Sequence, residues 1–279
     1  MQVNLENKVA VITGGAGVLG ASFTKALARS GAKVVIIGRN LEKAEKLAKE
    51  LKTEGLEALG LSANVLDKKS LEDAHKVILE KYGKVDILLN CAGGNHPKAT
   101  TPEEYFNKEE YDKTLTSGFF DLDIEAFNHV FGLNFTGTLL PSQVFSKDMI
   151  ESENPTIINI SSMSAFNPLT KIPAYSAAKA AINNFTKWLA VHFADQGIRV
   201  NAIAPGFFSS EQNQALLWNE DGSPTPRTHK IISQTPMKRF GEPEELVGTL
   251  LWLADHKSSG FVTGVVIPVD GGFSAYSGV

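Results

Sequence analysis

Residues 9–20 read Val9-Ala10-Val11-Ile12-Thr13-Gly14-Gly15-Ala16-Gly17-Val18-Leu19-Gly20. An apolar, mostly β-branched run ends in a glycine-rich turn, and a stretch of helical period follows over 20–30. Such a short apolar run suits a strand buried on both faces. The glycines permit a tight turn and close approach of the backbone to a bound group. A helix that starts there offers unpaired N–H groups and a partial positive charge, which suits an anion such as a pyrophosphate. The unit reads as strand, cradle, helix.

The same alternation continues outward from this unit. Apolar runs recur at 34–37, 85–89, 156–160, 198–203 and 265–269, with a weaker one at 57–61. Amphipathic stretches lie at 41–52, 68–82, 124–151, 174–195 and 242–255. Repeated strand-then-helix predicts an α/β fold, a doubly wound parallel sheet of about seven strands with helices on both faces (a Rossmann fold). No shift in composition marks a linker, so residues 1–279 read as one dinucleotide-binding catalytic domain. Two polar, proline-bearing stretches break the alternation, near 94–123 and 207–241. Both follow strands, on the side where open α/β sheets bind ligands, and both read as substrate loops.

Composition removes several function classes. The 279 residues are 43% hydrophobic and 21% charged, which is globular rather than disordered. Net charge is -4 with no basic block, so the electrostatic footprint of a nucleic-acid binder is missing. Cys91 is the only cysteine, which rules out an intramolecular disulfide and a Cys-rich zinc site. The six histidines are scattered, and no metal site is expected. No apolar run reaches the roughly 18 residues of a membrane span, and the start does not read as a signal peptide. A cytoplasmic protein acting on a small molecule is the expectation.

The second apolar run, Val34-Val35-Ile36-Ile37, is followed by Gly38-Arg39-Asn40. An acid at this strand end would bind the ribose 2′-hydroxyl of NAD, and a basic residue would accept the 2′-phosphate of NADP. With no acid and with Arg39 in place, NADP(H) is favoured and NAD(H) is the other option. The competing role for Arg39 is an ion pair with Glu42. Further on, Asn159-Ile160-Ser161-Ser162 closes a strand, and Tyr175-Ser176-Ala177-Ala178-Lys179 lies in a helical run. Tyr175 and Lys179, four apart, share one helix face. A phenol of pKa about 10 is a poor base at neutral pH, and a nearby ammonium lowers it. A shift of about three units needs roughly 4 kcal/mol of differential interaction. Ser162 can hydrogen-bond the same oxygen.

Taken together, these pieces resemble the short-chain dehydrogenase/reductase family over essentially the whole chain. The matching pieces are the Thr13–Gly20 loop, Asn90-Cys91-Ala92-Gly93, and Asn134 in Asn134-Phe135-Thr136-Gly137. Ser162, Tyr175, Lys179, Pro205-Gly206 and Val269-Asp270-Gly271-Gly272 complete the set. The resemblance implies hydride transfer between a nicotinamide and a carbonyl or alcohol. It implies Tyr175 as general acid/base and Ser162 as the group that orients and polarises the substrate oxygen. Lys179 would lower the tyrosine pKa and hold the nicotinamide ribose, and Asn134 would position a water in a proton relay. The implied cofactor contacts are Gly14, Gly17, Val18, Leu19, Gly20, Arg39, Asn64, Val65, Asn90, Ala92, Gly93, Tyr175, Lys179, Pro205 and Gly206. The chain departs from the family pattern at three places. Val18 stands where the family has its middle glycine, Asn64-Val65 where an aspartate is common, and Cys91 where a second asparagine is usual.

The loops narrow the resemblance. Gly93-Gly94-Asn95-His96-Pro97-Lys98-Ala99-Thr100, the run from Pro205 to Asn213 and the ending from Val269 to Gly278 resemble the D-mannonate oxidoreductase (fructuronate reductase) branch. That branch implies interconversion of D-fructuronate and D-mannonate. Amides and cations suit hydroxyls and a carboxylate, so Asn95, His96, Ser162, Tyr175, Gln212 and Asn213 are the candidate substrate contacts. The nearest alternative is another keto-sugar or polyol reductase, such as a gluconate 5-dehydrogenase. A more distant one is a non-catalytic nucleotide-sensing protein, which would need the cradle but not Ser162, Tyr175 and Lys179 together. The family also implies a homotetramer built on the helices at 124–151 and 174–195.

Overall fold

The computed structural model describes residues 3–114, 118–209 and 217–278. Seven strands pair in parallel in the order β3-β2-β1-β4-β5-β6-β7. They are β1 (Val9–Thr13), β2 (Lys33–Gly38), β3 (Ala58–Ser62), β4 (Ile87–Asn90), β5 (Thr156–Ile160), β6 (Arg199–Pro205) and β7 (Val266–Val269). Strand order reverses between β1 and β4, and ligands of such sheets lie at the carboxyl ends of the strands beside that switch. Thr13 at the end of β1 is in register with Asn90 at the end of β4, and Asn90 with Asn159 of β5. The weak run at 57–61 is a strand, displaced by one residue.

Parallel neighbours need long crossovers, and helices supply them. They are α1 (Val18–Arg29), α2 (Leu41–Thr53), α3 (Lys68–Tyr82), α4 (Lys108–Thr114), α5 (Ile124–Phe131), α6 (Gly137–Met149), α7 (Pro173–His192), α8 (Pro226–Gln234) and α9 (Val247–Ala254). Side chains start several of them. Asn40 accepts from Lys43 N, Asp67 from Ser70 N and Asp123 from Ala126 N, each satisfying a first-turn donor. Period-two alternation splits the strands between two cores. Ala10, Ile12, Val34 and Ile36 face Phe23, Leu27, Leu250 and Leu253. Val9, Val11, Val35 and Ile37 face Leu71, Ile78, Phe145 and Leu189.

Three expectations about elements are corrected. The stretch 124–151 is not one helix: α5 and α6 are separated by a π-turn, Gly132–Thr136. Pro141 lies inside α6 and has no N–H to give, so the Gly137 carbonyl loses its helical donor; nearby, Thr138 donates to Asn134 O and Ser142 to Thr138 O. The stretch 242–255 opens as a 3₁₀ turn, Pro243–Leu246, before α9 begins. The two loops also carry structure, α4 in the first and α8 in the second. An ion pair between Lys230 of α8 and Glu104 ties one to the other.

Candidate active site

The cradle is built as its glycines require. Gly14 has a φ of 65°, and a Cβ there would stand 2.9 Å from Ala92 Cα on the neighbouring strand exit. A Cβ on Gly20 would stand 2.1 Å from the Gly14 carbonyl. Thr13 Oγ1 accepts from Cys91 N and Ala92 N, and Thr24 Oγ1 donates to Gly15 O, so the turn is held on both sides. Gly17 precedes α1, and Val18 and Leu19 open its first turn. That helix has no side-chain cap and no acid in its first turn, leaving its first N–H groups for an anion. The missing middle glycine does not break the turn. Val18 is exposed at the start of the helix, and the bend is made at Gly14–Gly17.

At the ends of β4 and β5, the residues singled out from sequence converge. Lys179, 4% exposed, donates from Nζ to Ile160 O at 2.8 Å and lies 5.4 Å from the centre of the Tyr175 ring. Ser162 lies close enough to the Tyr175 hydroxyl to draw its pKa down, and is itself held by Ser164, whose N and Oγ donate to Ser162 Oγ at 3.2 and 3.0 Å. The Tyr175 ring packs with Ala99, Ala126, Val130 and Ala174. Asn134 sits in the π-turn. Its Nδ2 donates to Gly94 O and Val130 O, and its Oδ1 accepts from Gly94 N. A Cβ on Gly93 would stand 2.7 Å from Asn134 Oδ1 and 3.5 Å from Lys179 Nζ, so both polar groups flank that glycine.

The electrostatics correct one expectation. In the free protein the Tyr175 phenol is raised, not lowered. Burial disfavours the phenolate, and the Ser162 hydrogen bond offsets only part of that. Burial also brings the Lys179 ammonium down to about 8. Its charge is directed at the Ile160 carbonyl rather than at the phenol oxygen. The Cys91 thiol is pushed up to about 12 by burial, which makes it a packing group rather than a nucleophile.

The remaining candidates are placed as follows. Arg39 is exposed, and among the described residues no carboxylate, Glu42 included, stands within ion-pair distance of it. Its carbonyl accepts from Ser62 Oγ. Asn64 is exposed and turns its Oδ1 back to Leu66 N, while Val65 is buried against the face of Gly137. Asn90 is 1% exposed; its Nδ2 donates to Ser142 Oγ and Asn159 Oδ1, while its Oδ1 is buried without a hydrogen-bond partner. Pro205 ends β6. Gly206 follows, with space for no side chain because Asp270 Cα lies 2.6 Å from where its Cβ would be. Asn95 is exposed and His96 half-buried on the segment after Gly94. Gln212 and Asn213 lie outside the described residues.

The model of the short chain dehydrogenase family matches residues 8–221. The chain belongs to the short-chain dehydrogenase family. Over 276 residues it is 57% identical to the uncharacterized oxidoreductase UxuB of Bacillus subtilis, covering 99% of this chain and 98% of that one. A Haemophilus influenza protein provisionally assigned as a D-mannonate oxidoreductase, crystallised with NAD, is 54% identical with a TM-score of 0.96. That match covers 99% of this chain and 98% of the other. A gluconate 5-dehydrogenase from Burkholderia cenocepacia, in complex with NADP and tartrate, is 29% identical with a TM-score of 0.82. It covers 99% of this chain and 98% of its own. The protein is therefore an oxidoreductase of the short-chain dehydrogenase family, whose fold binds a nicotinamide cofactor.

Some residues of this short-chain dehydrogenase were not visible in its sequence as parts of the site. Thr13 is the clasp between the cradle and the β4 exit; its place at the strand end was the available signal. Asn159 accepts from Asn90 and donates to Thr186 Oγ1, completing a buried amide chain from β4 through β5 to α7. Those partners are 69 and 27 residues apart, and no local pattern announces them. His129 of α5 stands edge-on to His96, ring centres 6.5 Å apart.

Proposed function

We propose that the protein interconverts D-fructuronate and D-mannonate, with NADP(H) preferred over NAD(H). The observation that carries the substrate is the likeness, over nearly the whole chain, to the Haemophilus protein provisionally assigned as a D-mannonate oxidoreductase. The glycine cradle fits a dinucleotide, because Gly14 and Gly20 leave no room for a side chain where the backbone turns. Bound there, the nicotinamide supplies or accepts the hydride. Val18 and Leu19 present backbone N–H groups to the pyrophosphate, Gly17, whose N–H is held by Gly14 O, lets the chain pass close to it, and Arg39, exposed and without an ion-pair partner among the described residues, supports the 2′-phosphate.

The chain's own groups then handle the proton. Tyr175, kept protonated by burial, gives its proton to the carbonyl oxygen during reduction. Ser162 Oγ orients and polarises that oxygen. Lys179 sets the local charge, and a water beside Gly93, between Asn134 and Lys179, restores the proton from solvent. Asn134 also holds Gly93-Gly94 in place by its bonds to Gly94. Asn95 and His96 are the proposed contacts to the sugar acid from the first loop, and Gln212 and Asn213 from the second. A raised phenol favours the acid role and hence the reductive direction near neutral pH.

The second reading is a gluconate 5-dehydrogenase, supported by the Burkholderia enzyme with its NADP and tartrate. Steady-state kinetics with D-fructuronate and 5-keto-D-gluconate, each with NADPH and NADH, separates the two. The expected result is a larger kcat/KM for D-fructuronate and a lower KM for NADPH than for NADH. Turnover of 5-keto-D-gluconate alone would reject the substrate, and a clear preference for NADH would remove Arg39 from its role.

A further inference from the structure

Two imidazoles meet on different elements, ring centres 6.5 Å apart. His96 follows the Gly93-Gly94 segment that Asn134 fastens. Its Nδ1 accepts from Lys98 N, so in the neutral ring the proton sits on Nε2, which is left as a donor. His129 lies on the exposed side of α5, edge-on to His96 with ring centres 6.5 Å apart. This cluster adjoins the reacting residues: Ala99, three positions after His96, packs with Ala174 and Tyr175, and Ala126 and Val130 of α5 pack in the same group. Lys98 adds an ammonium. The Asp123 carboxylate lies nearby: its Oδ1 accepts from Ala126 N, and that bond, with smaller attractions from Lys98 and His96, holds its pKa below the ordinary range.

We propose that His129 and His96 together hold the carboxylate of the substrate, which makes His129 a specificity-determining residue. The inference rests on the reading of the substrate as a keto sugar acid. Two donors on separate elements suit the two oxygens of a carboxylate, and such charge-assisted bonds are the stronger kind. A hydroxymethyl group at the same place would gain much less from them. D-Fructuronate and D-fructose differ in this one group.

The test compares wild type, His129→Gln and His129→Phe on these two substrates, with NADPH. Expected for both variants is a KM for D-fructuronate about tenfold higher at nearly unchanged kcat, with D-fructose kinetics unaltered. Equal losses on both substrates, or none, would overturn the proposal. Binding is read separately, by following the histidine resonances of the NADP-bound enzyme on addition of D-mannonate or D-mannitol. Shifts of His96 and His129 with D-mannonate only are expected; no shift at either refutes the pair. A wild type that binds D-mannonate through these residues yet turns over no D-fructuronate would sink the proposed reaction and leave the carboxylate pocket standing.

Discussion

Tyr175 and Lys179 stand four apart on α7, as their spacing implied, and their proximity is a matter of helix geometry. The direction of their pKa shifts was not legible, because it depends on burial by residues distant in sequence. Lys179 is brought down to about 8, so its ammonium is present below that pH and lost above it. Hence kcat/KM for reduction is expected to fall as pH rises through about 8, measured on the free enzyme's profile. Stability carries the opposite sign. Between about 8 and the ordinary 10.5, the unfolded chain holds a proton at this lysine that the folded chain does not, so stability rises with pH there. Urea denaturation of wild type and Lys179→Met should show that slope shrinking in the variant, and an identical slope would assign the depression elsewhere. For Tyr175→Phe the expected loss in kcat is about 10²–10⁴-fold, with NADPH binding still measurable by fluorescence titration. A rate close to wild type would mean that another group moves the proton.

Among the elements, the strands were readable because a parallel strand buried on both faces is a continuous apolar run, as Val34–Ile37 shows. The helix at 124–151 was misread because periodicity does not register one extra residue in a turn. The π-turn at Gly132–Thr136 shows only in backbone bonding, and it carries Asn134 against Gly94. The cradle is the element on which cofactor binding depends most. Gly20→Ala would force a Cβ against the Gly14 carbonyl, 2.1 Å away, where only backbone could yield. Affinity for NADPH is expected to fall at least about tenfold, with stability reduced by about 1–3 kcal/mol. Calorimetric titration and thermal unfolding check the two effects; wild-type affinity would show that the turn has slack.

At the scale of the whole molecule, a parallel sheet of about seven strands followed from the alternation of elements, whereas its strand order, with the reversal between β1 and β4, shows only in the pairing. How the two loops interact did not follow either, since Lys230 and Glu104 are 126 residues apart. Assembly is a further expectation. Trp188 and Val191 of α7 and Ile124 of α5 are exposed apolar side chains on the helices proposed to pair in a homotetramer. Light scattering should give four times the chain mass, falling for Trp188→Asp; a monomeric wild type would contradict that assembly. The most direct measurement is a crystal structure of the intact enzyme with NADP⁺ and D-mannonate. Expected is the substrate's secondary hydroxyl within hydrogen-bond reach of both Tyr175 Oη and Ser162 Oγ, with its carbon facing the nicotinamide. A Tyr175 hydroxyl turned away from that ring, with no space for substrate between them, would contradict the catalytic assignment.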